Sequence, residues 1–220
     1  MNIEVSVQAK RYLFVSFIRW AILLYSLLLS SLVTAEVRTN QELKYYVSNS
    51  MNLLLTKLKE HKDEYKQDSD LFYRDVNNEL SKIIDFKRIA MKVMGRYGRL
   101  ATKEQRKQFV HAFKNSLYQT YAQVLLDNNG IEFSVINATL NPQNPIKANA
   151  KIVIKSSSGS NFDISYALHK SNDKKYRIEN IVIMGINLGL AYKDRFKQQI
   201  KANKGNIKTV IDNWSLDKAA

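Results

Sequence analysis

The hydrophobic period of the chain changes near residue 130, and this change limits the possible folds more than any other feature. Before it, apolar residues recur at steps of three and four, which is typical of amphipathic helices. After it, apolar and polar residues alternate, as in half-buried strands, until helical spacing returns at about residue 188. Helices followed by strands and then by helices again indicate an α+β fold.

The spacing predicts two helices within residues 41–84, joined by a polar turn from Lys59 to Asp70, with Ser69 or Asp70 as the second N-cap. Hairpin turns at 156–160 and 171–174 are expected to make neighbouring strands antiparallel. The other predicted elements are helices Phe86–Met94, Lys103–Leu126, Leu188–Asn203 and Asn206–Trp214, and strands Ile131–Leu140, Ile146–Lys155, Phe162–Leu168 and Tyr176–Ile183. The prediction is therefore a four-stranded antiparallel sheet whose apolar face is covered by the long aromatic helix.

The first 35 residues read as a secretory signal. Lys10 and Arg11 precede an apolar stretch, and the small residues Val33-Thr34-Ala35 fit a cleavage site. The alternative is an uncleaved anchor, since Tyr12 to Leu32 almost reaches the length of a membrane span, but this would place Arg19 inside the bilayer. We therefore expect residues 1–35 to be a signal peptide cleaved after Ala35, and residues 36–220 to form a single exported domain.

The charge balance points to an acidic partner. The chain has 34 Lys and Arg against 20 Asp and Glu, a net charge of +14. In an exported protein such a balance favours an anionic membrane surface over nucleic acid. Because the basic residues are spread along the chain, a solvated basic surface explains the charge as well as a docking face does.

The residue types and spacings that catalysis needs are missing. The chain has no cysteine, which excludes disulfides and thiolate chemistry, and His61, His111 and His169 lack metal-ligand spacing. Neither a phosphate-binding glycine loop nor a nucleophile elbow occurs. Asp163 lies within the clearest strand, but the alternation places it away from the apolar face, which argues against a buried base. We expect no cofactor, no metal and no enzymatic activity.

A helical corner at residues 93–113 carries the most specific motif. The string VMGRYGR at 93–99 ends one helix at a glycine, and ATKEQR at 101–106 starts the next, with Thr102 and Gln105 as a capping box. In order and spacing this corner resembles the MlaC/toluene-tolerance family of periplasmic phospholipid-binding proteins. The resemblance extends over about residues 70–214, including IVIMGINL at 181–188 and YKDRF at 192–196. Gly98, in place of an aromatic residue, and Met184, in place of a polar one, depart from the family pattern.

The resemblance implies a cone-shaped, NTF2-like fold that encloses an apolar cavity for acyl tails. Pattern and resemblance together suggest which residues would line it, although each residue taken singly fits an ordinary core better. The candidate lipid-binding residues are Val93, Met94, Tyr97, Phe109, Phe113, Leu117 and Tyr121 on helices, and Ile152, Ile154, Ile164, Tyr166, Leu168, Val182 and Tyr192 on the opposing wall. Arg96, Arg99 and Arg195 are the candidate rim for the head group.

The implied function is a periplasmic phospholipid carrier that maintains outer-membrane lipid asymmetry without covalent chemistry. The implied partners are phospholipid, an MlaA-like outer-membrane lipoprotein complex, an MlaD-like ring of an inner-membrane ABC transporter and, transiently, the membrane surface. The alternative is an enzyme or binding module of NTF2-like fold that acts on another apolar ligand, such as a sterol or hydrocarbon.

Overall fold

The computed structural model describes residues 39–126, 132–156 and 159–214, and for residues 122–126 the backbone alone. The chain separates into two units, Met1–Glu42 and Leu43–Ala220. In the first unit, residues 39–42 are helical. The predicted signal segment with its cleavage site after Ala35, and the predicted strand residue Ile131, lie outside the described residues. All that follows concerns the second unit.

The helices of this unit lie before and after its strands in the sequence. Helix α1 covers residues 43–60. The helices after it are α2 (Lys62–Gln67), α3 (Ser69–Ile83), α4 (Phe86–Met94), α5 (Tyr97–Leu100), α6 (Lys103–Leu126), α7 (Leu188–Ala202) and α8 (Ile207–Asp212). No helix within the described ranges is long and apolar enough to cross a membrane. The bounds of α4 and α6 are those that the sequence predicts.

Helix α3 is capped at Asp68, one residue before Ser69 and two before Asp70, the two predicted caps. The side chain of Asp68, rather than of Ser69 or Asp70, accepts a hydrogen bond from the Leu71 backbone N–H at 2.9 Å. Serine and aspartate are both preferred N-cap residues, so residue type alone cannot identify which of the three caps the helix. The short helices α2 and α5 replace segments that the pattern predicts as turns.

One antiparallel sheet holds five strands in the order β1-β2-β3-β4-β5. The strands are β1 (Glu132–Asn141), β2 (Asn144–Lys155), β3 (Asn161–Lys170), β4 (Tyr176–Ile183) and β5 (Ile186–Asn187). The predicted count of four is therefore wrong. The chain turns at Met184-Gly185, both with positive φ, and the two residues of β5 pair back onto β4. A two-residue strand is too short to produce an alternating pattern.

The apolar face of the sheet is covered by α1, with Leu43 and Val47 in the same buried cluster as the strand residues. The prediction that the long helix α6 covers this face is wrong for its described side chains. Phe109 and Phe113 of α6 instead pack with residues of α4, α7 and α8. Phe109 lies 4.8 Å from the Phe196 ring and 5.1 Å from the Trp214 ring, both edge-on. The C-terminal helices thus supply the partners of the aromatic stripe.

Candidate functional site

The strand residues predicted to line a cavity share one face of the sheet. Ile152 lies opposite Ile164, and Tyr166 and Leu168 follow at steps of two, each no more than 7% exposed. Ile154 packs against the same cluster from a partly buried position. Alternation along β2 and β3 brings these side chains together because every second residue points the same way. They form a continuous apolar surface, the sheet wall. Burial raises the pKa of the Tyr166 phenol to about 12, so it stays neutral.

Val182 is placed on the opposite face of the sheet from these residues. A bulge at Glu179 shifts the register of β4, so that Ile178, Ile181 and Ile183 pair with the residues of the sheet wall. Val182 pairs with Ser165, which alternates with Ile164 and Tyr166. The single extra residue of a bulge moves the side chains that follow it to the other face.

The helical candidates gather in a second buried cluster rather than against the sheet wall. Val93, Met94, Phe109 and Phe113 are at most 1% exposed. Tyr97, Leu117 and Tyr192 are partly buried and pack against them. Two aromatic pairs join the helices, since the Tyr97 ring contacts Phe196 and the Tyr192 ring contacts Phe113. The predicted walls are thus two compact clusters, and the partly buried Ile84 packs against both.

Tyr121 lies at the exposed end of the helical cluster. Its hydroxyl is 3.2 Å from the hydroxyl of Tyr192, which links α6 to α7, and its side chain is 41% exposed. Burial and the hydrogen bond with Tyr121 raise the pKa of Tyr192 well above its ordinary value. The Tyr192 phenol is therefore neutral, and the pair of hydroxyls offers a polar edge to an otherwise apolar cluster.

The three candidate rim arginines lie at two places. Arg96 donates to the Tyr97 hydroxyl at 2.9 Å and stacks over the same ring, and Arg99 is exposed on α5. Arg195 is on α7, with its guanidinium 5.7 Å from the centre of the Trp214 ring. Arg96 and Arg99 thus follow the end of α4, and Arg195 lies beside Trp214.

The two glycines of the motif, Gly95 and Gly98, lie where α4 ends and α5 begins, and the local backbone and packing explain both. Gly95 ends α4 with φ of 55° and ψ of −127°, a conformation that side-chain-bearing residues rarely adopt. At Gly98, an added Cβ would lie 3.3 Å from the Cβ of Met94. Because α5 packs this closely on α4, an aromatic residue at position 98 would have to displace Met94. Glycine at position 98 thus allows the close approach of α5 to α4.

Sequence reasoning overlooked one buried charge, Glu179 in the bulge of β4. Its carboxylate is 6% exposed and is surrounded by Lys92, Lys147 and Arg88. Burial alone would raise the pKa of Glu179, but the hydrogen bonds and charges of Lys147 and Lys92 outweigh burial and lower it. An acid between isoleucines in the run YRIENIVI was the available signal. Asp163, by contrast, is exposed on the face that alternation predicts.

His169 belongs to this charged group and is neutral. Arg88 Nη2 lies 2.7 Å from His169 Nε2, and an arginine can only donate, so Nε2 must accept. The ring proton is then on Nδ1. Burial and the nearby guanidinium of Arg88 lower the pKa of His169, in agreement with this tautomer. Within the described residues, no group of three or more His, Asp or Glu side chains is placed to hold a metal ion.

Comparison with known proteins places this geometry in a family. The profile of the family described as MlaC protein matches residues 48–215. The toluene tolerance protein ttg2D of Pseudomonas putida is 28% identical over 174 residues, covering 79% of this chain and 80% of that protein. A phospholipid-binding protein of Ralstonia solanacearum, solved in complex with a phospholipid, shares the fold with a TM-score of 0.69 at 22% identity, over 77% of this chain and 92% of that one. The chain belongs to the MlaC family.

Proposed function

We propose that this protein carries phospholipid, with the acyl tails against the sheet wall and the head group at the surface. The observation that carries the proposal is the continuous apolar face of β2, β3 and β4, formed by Ile152, Ile164, Tyr166, Leu168, Ile178 and Ile181. Two acyl chains expose about 30 methylenes, each costing roughly 0.8 kcal/mol in water. A carrier must replace that water with an apolar surface, and no bond has to be made or broken.

The tails would lie between the sheet wall and the helices, in a cavity of the NTF2-like cone type. Ile84 packs against both the sheet wall and the helical cluster, and it lies in the short connection between α3 and α4. Because α1 covers the sheet wall, movement of α1 away from the sheet, together with separation at this connection, would expose both predicted walls to the same ligand. The helical candidates, with Tyr121 and Tyr192 at their polar edge, would then form the second side of the cavity, and Arg96, Arg99 and Arg195 its rim.

Membership of the family and the predicted signal segment support a wider role. The mature domain, residues 36–220, would work in the periplasm after cleavage behind Ala35. It would exchange phospholipid with an MlaA-like lipoprotein complex at the outer membrane and an MlaD-like transporter ring at the inner membrane, with brief contact to the membrane surface. The net positive charge favours that contact. The result would be maintenance of outer-membrane lipid asymmetry.

Native mass spectrometry of the protein purified from the periplasm of an expression host tests the proposal. The expected result is an added mass equal to one or more phospholipids, which organic extraction removes. A protein that stays at its own mass, before and after incubation with phospholipid vesicles, would contradict carriage. An added mass that matches a sterol or a hydrocarbon would instead assign the cavity to another apolar cargo.

A further inference from the structure

A groove between α3 and α6 lies outside the predicted lipid-binding residues. Its volume is about 410 Å³. The lining residues are Tyr73, Arg74, Asn77, His111, Lys114, Asn115, Tyr118 and Gln119. The lining thus contains cations, amides, phenols and an imidazole, and no carboxylate. We propose that this groove binds the phosphate group of a small phosphate ester, which is either a phospholipid head group or a free glycerol phosphate.

Lys114 is the centre of the proposed site. Its ammonium donates to Ser81 Oγ at 2.8 Å and lies 5.0 Å from the centre of the Phe86 ring and 6.0 Å from that of the Tyr118 ring. Among the described residues, no carboxylate lies within ion-pair distance of it. Burial lowers the pKa of Lys114, since desolvation opposes its charge and no anion offsets that effect. A bound anion would supply the missing partner.

The neighbours of Lys114 suit a phosphate with a polar substituent. Arg74 is largely exposed, and the nearest carboxylate oxygen, that of Asp75, is 3.9 Å from its Nε. Asp75 itself accepts a hydrogen bond from Tyr65 and does not line the groove. The Asn77 side-chain oxygen accepts from the Tyr118 hydroxyl, which leaves its NH₂ free to donate. Two cations and several amide donors match the acceptor-rich surface of a phosphate ester.

The groove is larger than a site for a single counter-ion needs to be. A water molecule takes up about 30 Å³ of liquid volume, so an open groove of about 410 Å³ has room for more than a single small ion. The exposed amides of Asn115 and Gln119 add donors and acceptors that a glycerol hydroxyl can use. The substituent is therefore expected to be short and polar, with any acyl chain outside the groove.

Isothermal titration calorimetry with inorganic phosphate, glycerol phosphate and dihexanoyl phosphatidylglycerol tests the proposal. Lys114→Gln should weaken binding of the preferred probe about tenfold, because it removes one charged hydrogen bond. Arg74→Gln, at an exposed position, should also weaken it. Lys107→Gln is the matched control, since Lys107 is exposed on the same helix outside the groove, and should change affinity less than about twofold.

The three probes identify the source of the phosphate. Binding of glycerol phosphate as tightly as the short-chain lipid assigns a free ester, whereas a clear preference for the lipid assigns a head group. Equal affinities of folded Lys114→Gln, Arg74→Gln and Lys107→Gln proteins for every probe would overturn the proposal, and so would the absence of binding to the unsubstituted protein. The co-purified lipid content is a separate readout, so that failure of this site and failure of lipid carriage can be distinguished.

Discussion

Among the described acidic and basic residues, Glu179 is buried, and three cations surround its carboxylate. Its carboxylate links β4 to Lys147 of β2 and to Lys92 and Arg88 of α4. Buried charges persist in folded proteins when they are paired and hydrogen-bonded. These ion pairs therefore hold α4 to the sheet. The apolar clusters of the described residues do not do so, because buried residues of α4 and of the strands belong to different clusters.

Replacement of Glu179 by Gln should lower the free energy of unfolding by about 2 kcal/mol at neutral pH, because charged hydrogen bonds are lost in a buried place. The pKa of Glu179 is lowered in the folded protein. Its contribution is therefore present above the ordinary pKa of 4.5 and is lost as the pH falls through the folded value. Urea unfolding of both proteins across this range should give a difference that shrinks on acidification.

The control is Glu132→Gln, at an acid that is 73% exposed on β1 beside Lys155. It should leave the free energy of unfolding nearly unchanged at every pH, as exposed ion pairs do. A difference between the unsubstituted protein and Glu179→Gln that is constant with pH, or that grows towards acid, would contradict the assignment of a charged Glu179.

The start of α6 shows how local sequence sets an element. Thr102 and Gln105 form the predicted capping box, with the Thr102 backbone N–H donating to Gln105 Oε1 at 2.9 Å and the Gln105 backbone N–H donating to Thr102 Oγ1 at 3.1 Å. Each bond satisfies a donor that the first turn of a helix leaves without a partner. The prediction from the sequence is confirmed atom by atom.

Thr102→Ala should therefore lower the free energy of unfolding by about 1 kcal/mol. Thr56→Ala is the control, since Thr56 is exposed within α1 and alanine has the higher helix propensity there. The control should be neutral or slightly stabilising in the same chemical denaturation experiment. Equal losses in both variants would show that the cap contributes nothing specific.

Short sequence patterns predicted the helices and strands, whereas contacts between distant parts of the chain determined which helix covers the sheet. The bounds of α4, α6 and β4 follow from caps, glycines and apolar periodicity, all carried within a few residues. The cover of the sheet by α1 did not follow, because either amphipathic helix could have packed there and the choice depends on where the C-terminal aromatic residues lie.

The candidate site divides in the same way. The shared face of Ile164, Tyr166 and Leu168 was predictable from alternation alone. The position of Val182 was not, since it depends on a bulge that the sequence of β4 does not mark. The ion group around Glu179 joins residues up to 91 positions apart, from Arg88 to Glu179, and so required the tertiary structure.

For the whole molecule, lipid carriage implies that a charge on one face of β3 reduces lipid binding, whereas a charge on the other face does not. Ile164→Asp should reduce the amount of co-purified phospholipid strongly, because it places a charge on the sheet wall. Ser165→Asp, one residue along the same strand on the opposite face, should retain it. The measurement is the lipid-to-protein ratio by mass spectrometry, on samples whose circular dichroism shows that both are folded. Equal lipid content in the two folded proteins would remove the sheet wall from the binding site.

The most direct test of the account is photolabelling of the protein with a phospholipid that carries a diazirine within an acyl chain, followed by mass-spectrometric mapping of the labelled residues. We expect labels on Ile152, Ile164, Tyr166 and Leu168, and none on Lys151 or Asp163, which point to the other face of the same strands. Labels confined to exposed residues outside the sheet wall would contradict the central claim that this face holds the tails.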